Sequence, residues 1–295
     1  MHSMLNSSLS VERNEEEAIA DAAAYIESKL AGRQPKLGMI LGSGLGDLAN
    51  ELEDAVTIPY ADVPHFPQST VAGHAGQFVV GRWEECDVIV MQGRFHFYEG
   101  YAMSTVVLPV YVMKQLGIHT LVITNAAGGM KRGFQAGDLM LITDHLNMTG
   151  DNPLVGPNRA SFGVRFPDMS EAYDRSYIAL VKQLAENLPV HDNDRLCLQE
   201  GVYCGISGPS YMTPAELTML AKLGGDAVGM STVGEVIAAR HCGITVLGVS
   251  CITDMAIGES LAPLTHEEVM KVANHSKSKL VALVRSFVQA WNRLY

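Results

Sequence analysis

The sequence predicts one α/β domain with a central mixed, largely buried β-sheet flanked by helices. Short apolar runs alternate with helical patterns from Leu37 to the last helix, as they do where strands and helices wind around a shared sheet. No Pro- or Ser-rich linker and no internal repeat divides the chain. A hydrophobic fraction of 47% against 18% charged residues, in 295, suits a chain that buries a sizeable core. The expected layout is a loose polar tail over 1–14 followed by a single domain over 15–295.

Taken in order, Ala18, Ala22, Ile26 and Leu30 recur at spacings of four, the stripe of an amphipathic helix that Gly32 ends. Strands are expected at Leu37 to Leu41, Val88 to Met91, Thr120 to Thr124, Leu139 to Thr143, Asp226 to Gly229 and Thr245 to Ile252. Asp47 to Leu52 could form a helix. Three helix starts carry a Thr followed three residues later by Glu: Thr213 with Glu216 (and Pro214 between), Thr232 with Glu235, and Thr265 with Glu268. In α/β folds ligands gather where strand ends meet helix starts, because unpaired backbone N–H groups there favour an anion. The segment from Asp144 to about Met169 is rich in Gly, Pro and Asn and shows no period, so it reads as a binding loop or interface arm. A second such loop, Asp254 to Leu264, precedes the final helix.

Charge narrows the partners. With 21 basic and 32 acidic residues the net charge is −11, which argues against nucleic acid or an anionic membrane as the main partner. A local positive pocket could still hold a small anion. Glu15, Glu16 and Glu17 stand where an export signal needs an apolar segment, and no stretch approaches a membrane span. The five cysteines form no C-x-x-C pair; reduced thiols in the cytoplasm are expected.

Five constellations can carry chemistry. Gly42-Ser43-Gly44-Leu45-Gly46 follows a strand and is either a phosphate loop or a tight turn that needs glycine; it fails both as a dinucleotide fingerprint and as a Walker loop. His74 lies between glycine-flanked small residues. In Arg94 to Gly100, extended backbone would turn Arg94, His96 and Tyr98 to one face and Phe95, Phe97 and Glu99 to the other. That first face is an anion clamp or a solvated edge strand, since Arg offers a planar fork matched to phosphate oxygens. Thr124 to Gly129 would let a ligand approach the backbone closely or simply make a turn. Ser231, one residue before Thr232, places a hydroxyl at a helix start, or belongs to an ordinary cap. No Gly-x-Ser-x-Gly elbow, no His-Glu-x-x-His motif and no zinc-ligand spacing occurs.

Read together, Gly42 to Gly46, Val71 to Gly76, Met91 to Tyr101, Thr124 to Gly129, Asp144-His145, Arg165-Phe166-Pro167, Gly208 to Tyr211, Gly229 to Val233 and His266 to Val269 resemble the trimeric class of purine nucleoside phosphorylases. The resemblance runs from about Leu37 to the last helix. It implies a nucleoside phosphorylase-like fold and reversible phosphorolysis of purine nucleosides to free base and ribose 1-phosphate. Inorganic phosphate is then a co-substrate, with no metal and no organic cofactor. It further implies phosphate on Ser43, His74, Arg94, His96, the backbone N–H of Ala126, and Ser231. Ribose would lie against Tyr98, Met230 and His266. Tyr211 would flank sugar and base, and Phe166 would reach into a neighbouring subunit's site in a homotrimer. Catalytic roles fall to His96 and Asp254.

The sequence departs from the 6-oxopurine pattern at two places. Met212 stands where that pattern has Glu, and Asp254 where it has the base-binding Asn. Guanine and hypoxanthine present a donor at N1 and an acceptor at O6, whereas adenine presents an acceptor at N1 and a donor at its 6-amino group. Met212 cannot accept the N1 proton, and an ionised Asp254 can only accept. An unpaired buried donor costs about 1–3 kcal/mol, roughly a five- to hundredfold discrimination, so a shift toward 6-aminopurines such as adenosine is expected. A protonated Asp254 donating to N7 would instead leave 6-oxopurines acceptable. Asp at this position is also reminiscent of methylthioadenosine phosphorylases, although His266 and Ser231 follow the nucleoside phosphorylase pattern. A non-catalytic nucleoside-binding protein is the alternative of a different class; it predicts loss of Arg94 or His96, and both are present.

Overall fold

Nine strands form one mixed sheet whose far end curls back on itself. The computed structural model describes residues 2–71, 74–188, 196 and 198–294, with side chains in the first helix from residue 15 onward. Helix α1 (His2–Lys29) presents Ile19, Ala22, Ala23 and Ile26 to the core, so the expected stripe is its buried face. The backbone over 2–14, expected as a loose tail, is the first part of this helix, and its side chains lie outside the described ones.

Strands β1 (Leu37–Leu41), β2 (Glu53–Pro59), β3 (Gln77–Trp83) and β4 (Cys86–Gln92) precede the short helix α2 (Met103–Val106) and α3 (Leu108–Gln115). Next come β5 (Thr120–Gly129), β6 (Leu139–Met148), α4 (Arg175–Glu186), β7 (Leu198–Ile206) and α5 (Pro214–Lys222). The chain closes with β8 (Ala227–Gly229), α6 (Val233–His241), β9 (Thr245–Met255) and α7 (His266–Asn292). The sheet order is β2-β3-β4-β1-β5-β8-β7-β6-β9, and β9 also pairs with β5 in parallel, which closes β5, β8, β7, β6 and β9 into a ring.

All six expected strands are present. β1 and most of β5 and β9 are buried along their length, as near-continuous apolar runs require. Three strands escaped the sequence reading. β2 is mostly exposed and acidic, and β7 is interrupted by Glu200 and Gly201. β3 contains Gly81, where a Cβ would stand 2.8 Å from the Glu53 carbonyl oxygen. Asp47 to Leu52 forms a 3-10 turn (Gly46–Glu51) in place of an α-helix.

The described cysteines, Cys86, Cys204, Cys242 and Cys251, are buried and free. Burial pushes the Cys242 thiol up to about 12, so it is not a reactive thiolate at neutral pH. Cys197 lies outside the described residues. No described helix is long and apolar enough to cross a membrane.

Candidate active site

The ends of β1, β4, β5 and β9 and the starts of α6 and α7 surround one cavity of about 320 Å³. Ser43, Arg94, His96, Tyr98, Ala126, Tyr211, Met212, Met230, Ser231, Asp254 and His266 line it. The sequence placed these residues at a site one by one; the fold gathers them from across the chain. Two candidates stand apart. His74 backs Ser43 without lining the cavity, and Phe166, 87% exposed, projects from the surface loop after β6.

One end of the cavity is polar and almost closed to solvent. Arg94 is 1% exposed, and its Nε donates to Glu235 Oε1 at 3.1 Å. Its Nη1 donates to the Thr124 carbonyl at 2.8 Å and to Ser231 Oγ at 3.3 Å. A buried guanidinium with these partners cannot rotate away, so the fork is aimed before any ligand arrives. Glu235 sits on α6 and is 3% exposed, an ion pair that removes most of the cost of burying Arg94.

Glu235 was expected to cap α6 together with Thr232, and the structure corrects this. Thr232 makes no side-chain cap at α6; its hydroxyl oxygen instead accepts from Asn125 Nδ2 at 2.9 Å. A carboxylate beside a buried arginine is worth more to the fold than one at a helix start. The other two expected caps are present: Thr213 with Glu216 and Thr265 with Glu268 each bond reciprocally.

Glu99 is a second correction. Extended backbone would point it away from His96, but a 3-10 turn over Phe97–Glu99 folds it back. His96 Nδ1 meets Glu99 Oε1 at 3.2 Å, and the His96 backbone N–H donates to the same oxygen at 2.7 Å. Burial alone would raise the Glu99 carboxyl, but hydrogen bonds from His96 and Thr70 outweigh it and hold it at about 2. The ionised carboxylate therefore accepts a hydrogen bond from Nδ1–H and leaves His96 Nε2 free for the cavity. Burial lowers the His96 pKa, opposed by the Glu99 hydrogen bond and assisted by the Arg94 charge. Tyr98 stacks on the His96 ring, centroids 4.7 Å apart.

His74 completes this end. Its Nδ1 lies 3.1 Å from the Arg94 backbone nitrogen and 3.2 Å from the Arg94 carbonyl oxygen, and its Nε2 lies 3.2 Å from Ser43 Oγ. Burial, then the His96 charge, lowers the His74 pKa to about 4. Gly42 lets the Ser43 loop lie against β5: a Cβ there would stand 2.7 Å from the Asn125 Cα. The glycine segment is a tight turn that also brings the Ser43 hydroxyl to the cavity. Asn125, Thr232, Glu99 and Glu235 lie within the segments singled out in the sequence, but no part in holding the site was expected of them. Of these only Glu99, three residues after His96 and just before a glycine, left a local signal.

The other end is mostly apolar, walled by Ile206, Met212, Leu217, Val228 and Ala256. Asp254, at the end of β9, is its main ionisable group, and Thr253 Oγ1 donates to its Oδ1 at 2.9 Å. Burial raises the Asp254 pKa, and that hydrogen bond offsets only part of the effect. The loop expected at Asp254 to Leu264 borders the mouth through Leu261, Ala262, Pro263 and Leu264. Among the described residues no group of three or more His, Cys, Asp and Glu side chains is arranged to hold a metal ion.

Known proteins share this chain's sequence and architecture. The Phosphorylase superfamily pattern matches residues 36–289. Purine nucleoside phosphorylase 1 of Bacillus subtilis is 54% identical over 270 residues, covering 92% of this chain and 97% of the relative. A crystal structure of Schistosoma mansoni purine nucleoside phosphorylase with adenosine superimposes with a TM-score of 0.85 at 42% identity, covering 92% of this chain and 96% of that one. The same figures hold for a structure of that protein with inosine.

Proposed function

The chain belongs to the phosphorylase superfamily, among the purine nucleoside phosphorylases, and from that premise we propose that it cleaves purine nucleosides with inorganic phosphate. The products are the free base and ribose or 2-deoxyribose 1-phosphate. The observation that carries the reading is one cavity with an anion-donor end (Ser43, Arg94, His96, Ser231) and an apolar end holding a carboxyl group.

In this reading phosphate occupies the polar end, with the Ala126 backbone N–H as a further donor, and His74 acts through Ser43. A phosphate oxygen attacks the anomeric carbon as the bond to the purine nitrogen breaks. A loose glycosidic transition state carries positive charge on the sugar and negative charge on the departing base. The phosphate dianion stabilises the first, and a proton donor near N7 stabilises the second. His96, with Nδ1 committed to Glu99, takes up the proton of hydrogen phosphate at Nε2 or pairs, protonated, with the dianion. Ribose rests against Tyr98, Met230 and His266, and Tyr211 covers sugar and base. No organic cofactor or metal takes part, and the reaction belongs to the cytoplasm. The working assembly is a homotrimer in which Phe166 reaches a neighbouring site; its exposure beside exposed Val155 and Val164 supports an apolar arm with a partner to meet.

The base preference is for 6-aminopurines. A carboxyl whose pKa burial raises presents one O–H and one C=O when neutral, which match adenine N7 and the 6-amino group together. Against a 6-oxopurine the same group has one donor for two acceptors, and its C=O faces O6. Ionised, it accepts from the 6-amino group. The ionised state favours adenine, the protonated state offers N7 of either base a donor but matches the 6-amino group better than O6, and Met212 leaves the N1 proton of a 6-oxopurine unpaired in both. The apolar strip Leu261 to Leu264 beside His266 also supports methylthioadenosine as a second substrate. The test of the reaction class is base release from adenosine, inosine and methylthioadenosine with and without phosphate. Release that needs phosphate and yields a sugar 1-phosphate is expected; release in its absence, or none in its presence, would refute phosphorolysis.

A further inference from the structure

Thr232 stands in a conformation that its residue type resists. It is 2% exposed, with φ +74° and ψ −53°, and the Val233 N–H bonds back to the Ser231 carbonyl at 2.8 Å. That is a three-residue γ-turn of the rare, strained kind. Among the described residues the others that are not glycine and have positive φ, Ala31, Asp54, His65, Glu84 and Glu85, are none of them β-branched. A buried β-branched residue at positive φ persists only where its surroundings over-determine it.

The surroundings do so through hydroxyls. Asn125 Nδ2 donates to Thr232 Oγ1 at 2.9 Å, and Thr232 Oγ1 lies 3.1 Å from Ser231 Oγ. Arg94 Nη1 donates to the same Ser231 oxygen at 3.3 Å. We propose that Thr232 is a positioning residue whose strained turn and hydroxyl aim the Ser231 O–H at a phosphate oxygen. With Asn125 donating to its oxygen, Thr232 gives its own proton to Ser231 Oγ. Arg94 fills the second acceptor position of Ser231, since a hydroxyl has two. The Ser231 proton is then left to face the cavity on one side and the buried Tyr203 hydroxyl on the other, so a phosphate oxygen competes for it with a neutral phenol. Ser43 Oγ lies 3.2 Å from His74 Nε2 at the same end of the cavity. Ser231 becomes a one-way donor, which suits an anion and rejects a ligand that must itself donate.

The inference rests on phosphate being the ligand of the polar end, and its test separates the two. Thr232→Val keeps the branched shape and the strain but removes the hydroxyl. Phosphate Kd, measured by calorimetry without nucleoside, and phosphate KM should both rise about tenfold, the loss of one hydrogen bond to a charged group, while nucleoside KM stays within twofold. Thr232→Ser should restore phosphate binding to within about threefold of the parent. Thr232→Gly releases the strain without supplying the hydroxyl, so it should bind phosphate as poorly as the valine variant with no greater loss of Tm. Parental phosphate binding by Thr232→Val, or equal rises in phosphate and nucleoside KM, would overturn the proposal. A parent protein that binds phosphate but releases no base from any purine nucleoside would instead refute the phosphorolysis reading.

Discussion

The two ends of the cavity are built to opposite rules. At the polar end Arg94, Asn125, Thr124, Thr232 and Glu235 are nearly or wholly buried and bonded to one another from β4, β5 and α6. At the base end Tyr211 and Leu261 are exposed, the walls are apolar, and Asp254 carries the described bond from Thr253. The first end is part of the core, so its donors are fixed in place by the fold. The walls of the second, Ile206, Leu217, Val228 and Ala256, form a small buried cluster of their own against which Met212 packs, and few polar side chains are fixed there.

If that contrast is right, the largest effect on the fold comes from the polar end. Glu235→Gln strands a buried guanidinium and should cost about 3–5 kcal/mol of stability, read by denaturant unfolding, together with phosphate binding. A loss below about 1 kcal/mol would break the contrast. Acid should find the same end next. His74 has a folded pKa of about 4 against an ordinary 6.5, so the unfolded chain binds more protons between those values. Stability should therefore fall as pH drops from about 6.5 to about 4. His74→Asn should flatten the fall by about 2 kcal/mol, and added phosphate, which favours a charged ring, should offset it in the parent. An unchanged slope in the variant would contradict the burial of a neutral ring.

The base end should answer differently. Met212→Glu supplies an acceptor for the N1 proton, and kcat/KM for inosine relative to adenosine should rise about tenfold, with stability shifted by less than about 1 kcal/mol. A large loss of stability without a change of preference would place Met212 in the core and outside base recognition.

What was legible in the sequence follows the range of the interaction. The strands appeared because buried strands are short apolar runs, and the caps at Thr213 and Thr265 because a capping box closes within four residues. Cavity residues such as Arg94, His96, Ser231 and Asp254 came from motifs read together as a family pattern. The partners that hold them did not. Arg94 and Glu235 are 141 positions apart, and Asn125 and Thr232 are 107 apart, separations that carry no local period. Glu235 was even assigned to the wrong neighbour, since a Thr three residues earlier is the ordinary sign of a cap. Glu99 was misplaced because alternation holds only while backbone stays extended, and here it ends at His96. Phe166 is visible as a candidate in the sequence and as an exposed ring in the fold, and its role depends on a second copy of the chain.

The central claim is that Asp254, with Met212 beside it, selects the 6-aminopurine while the polar end supplies the chemistry. The most direct measurement compares kcat/KM for adenosine and inosine, at saturating phosphate, in the parent and in Asp254→Asn. Adenosine should lead in the parent. An amide in place of the carboxyl should move the ratio toward inosine by about ten- to a hundredfold, with phosphate KM unchanged. Inosine leading in the parent, or a ratio indifferent to the substitution, would contradict the account.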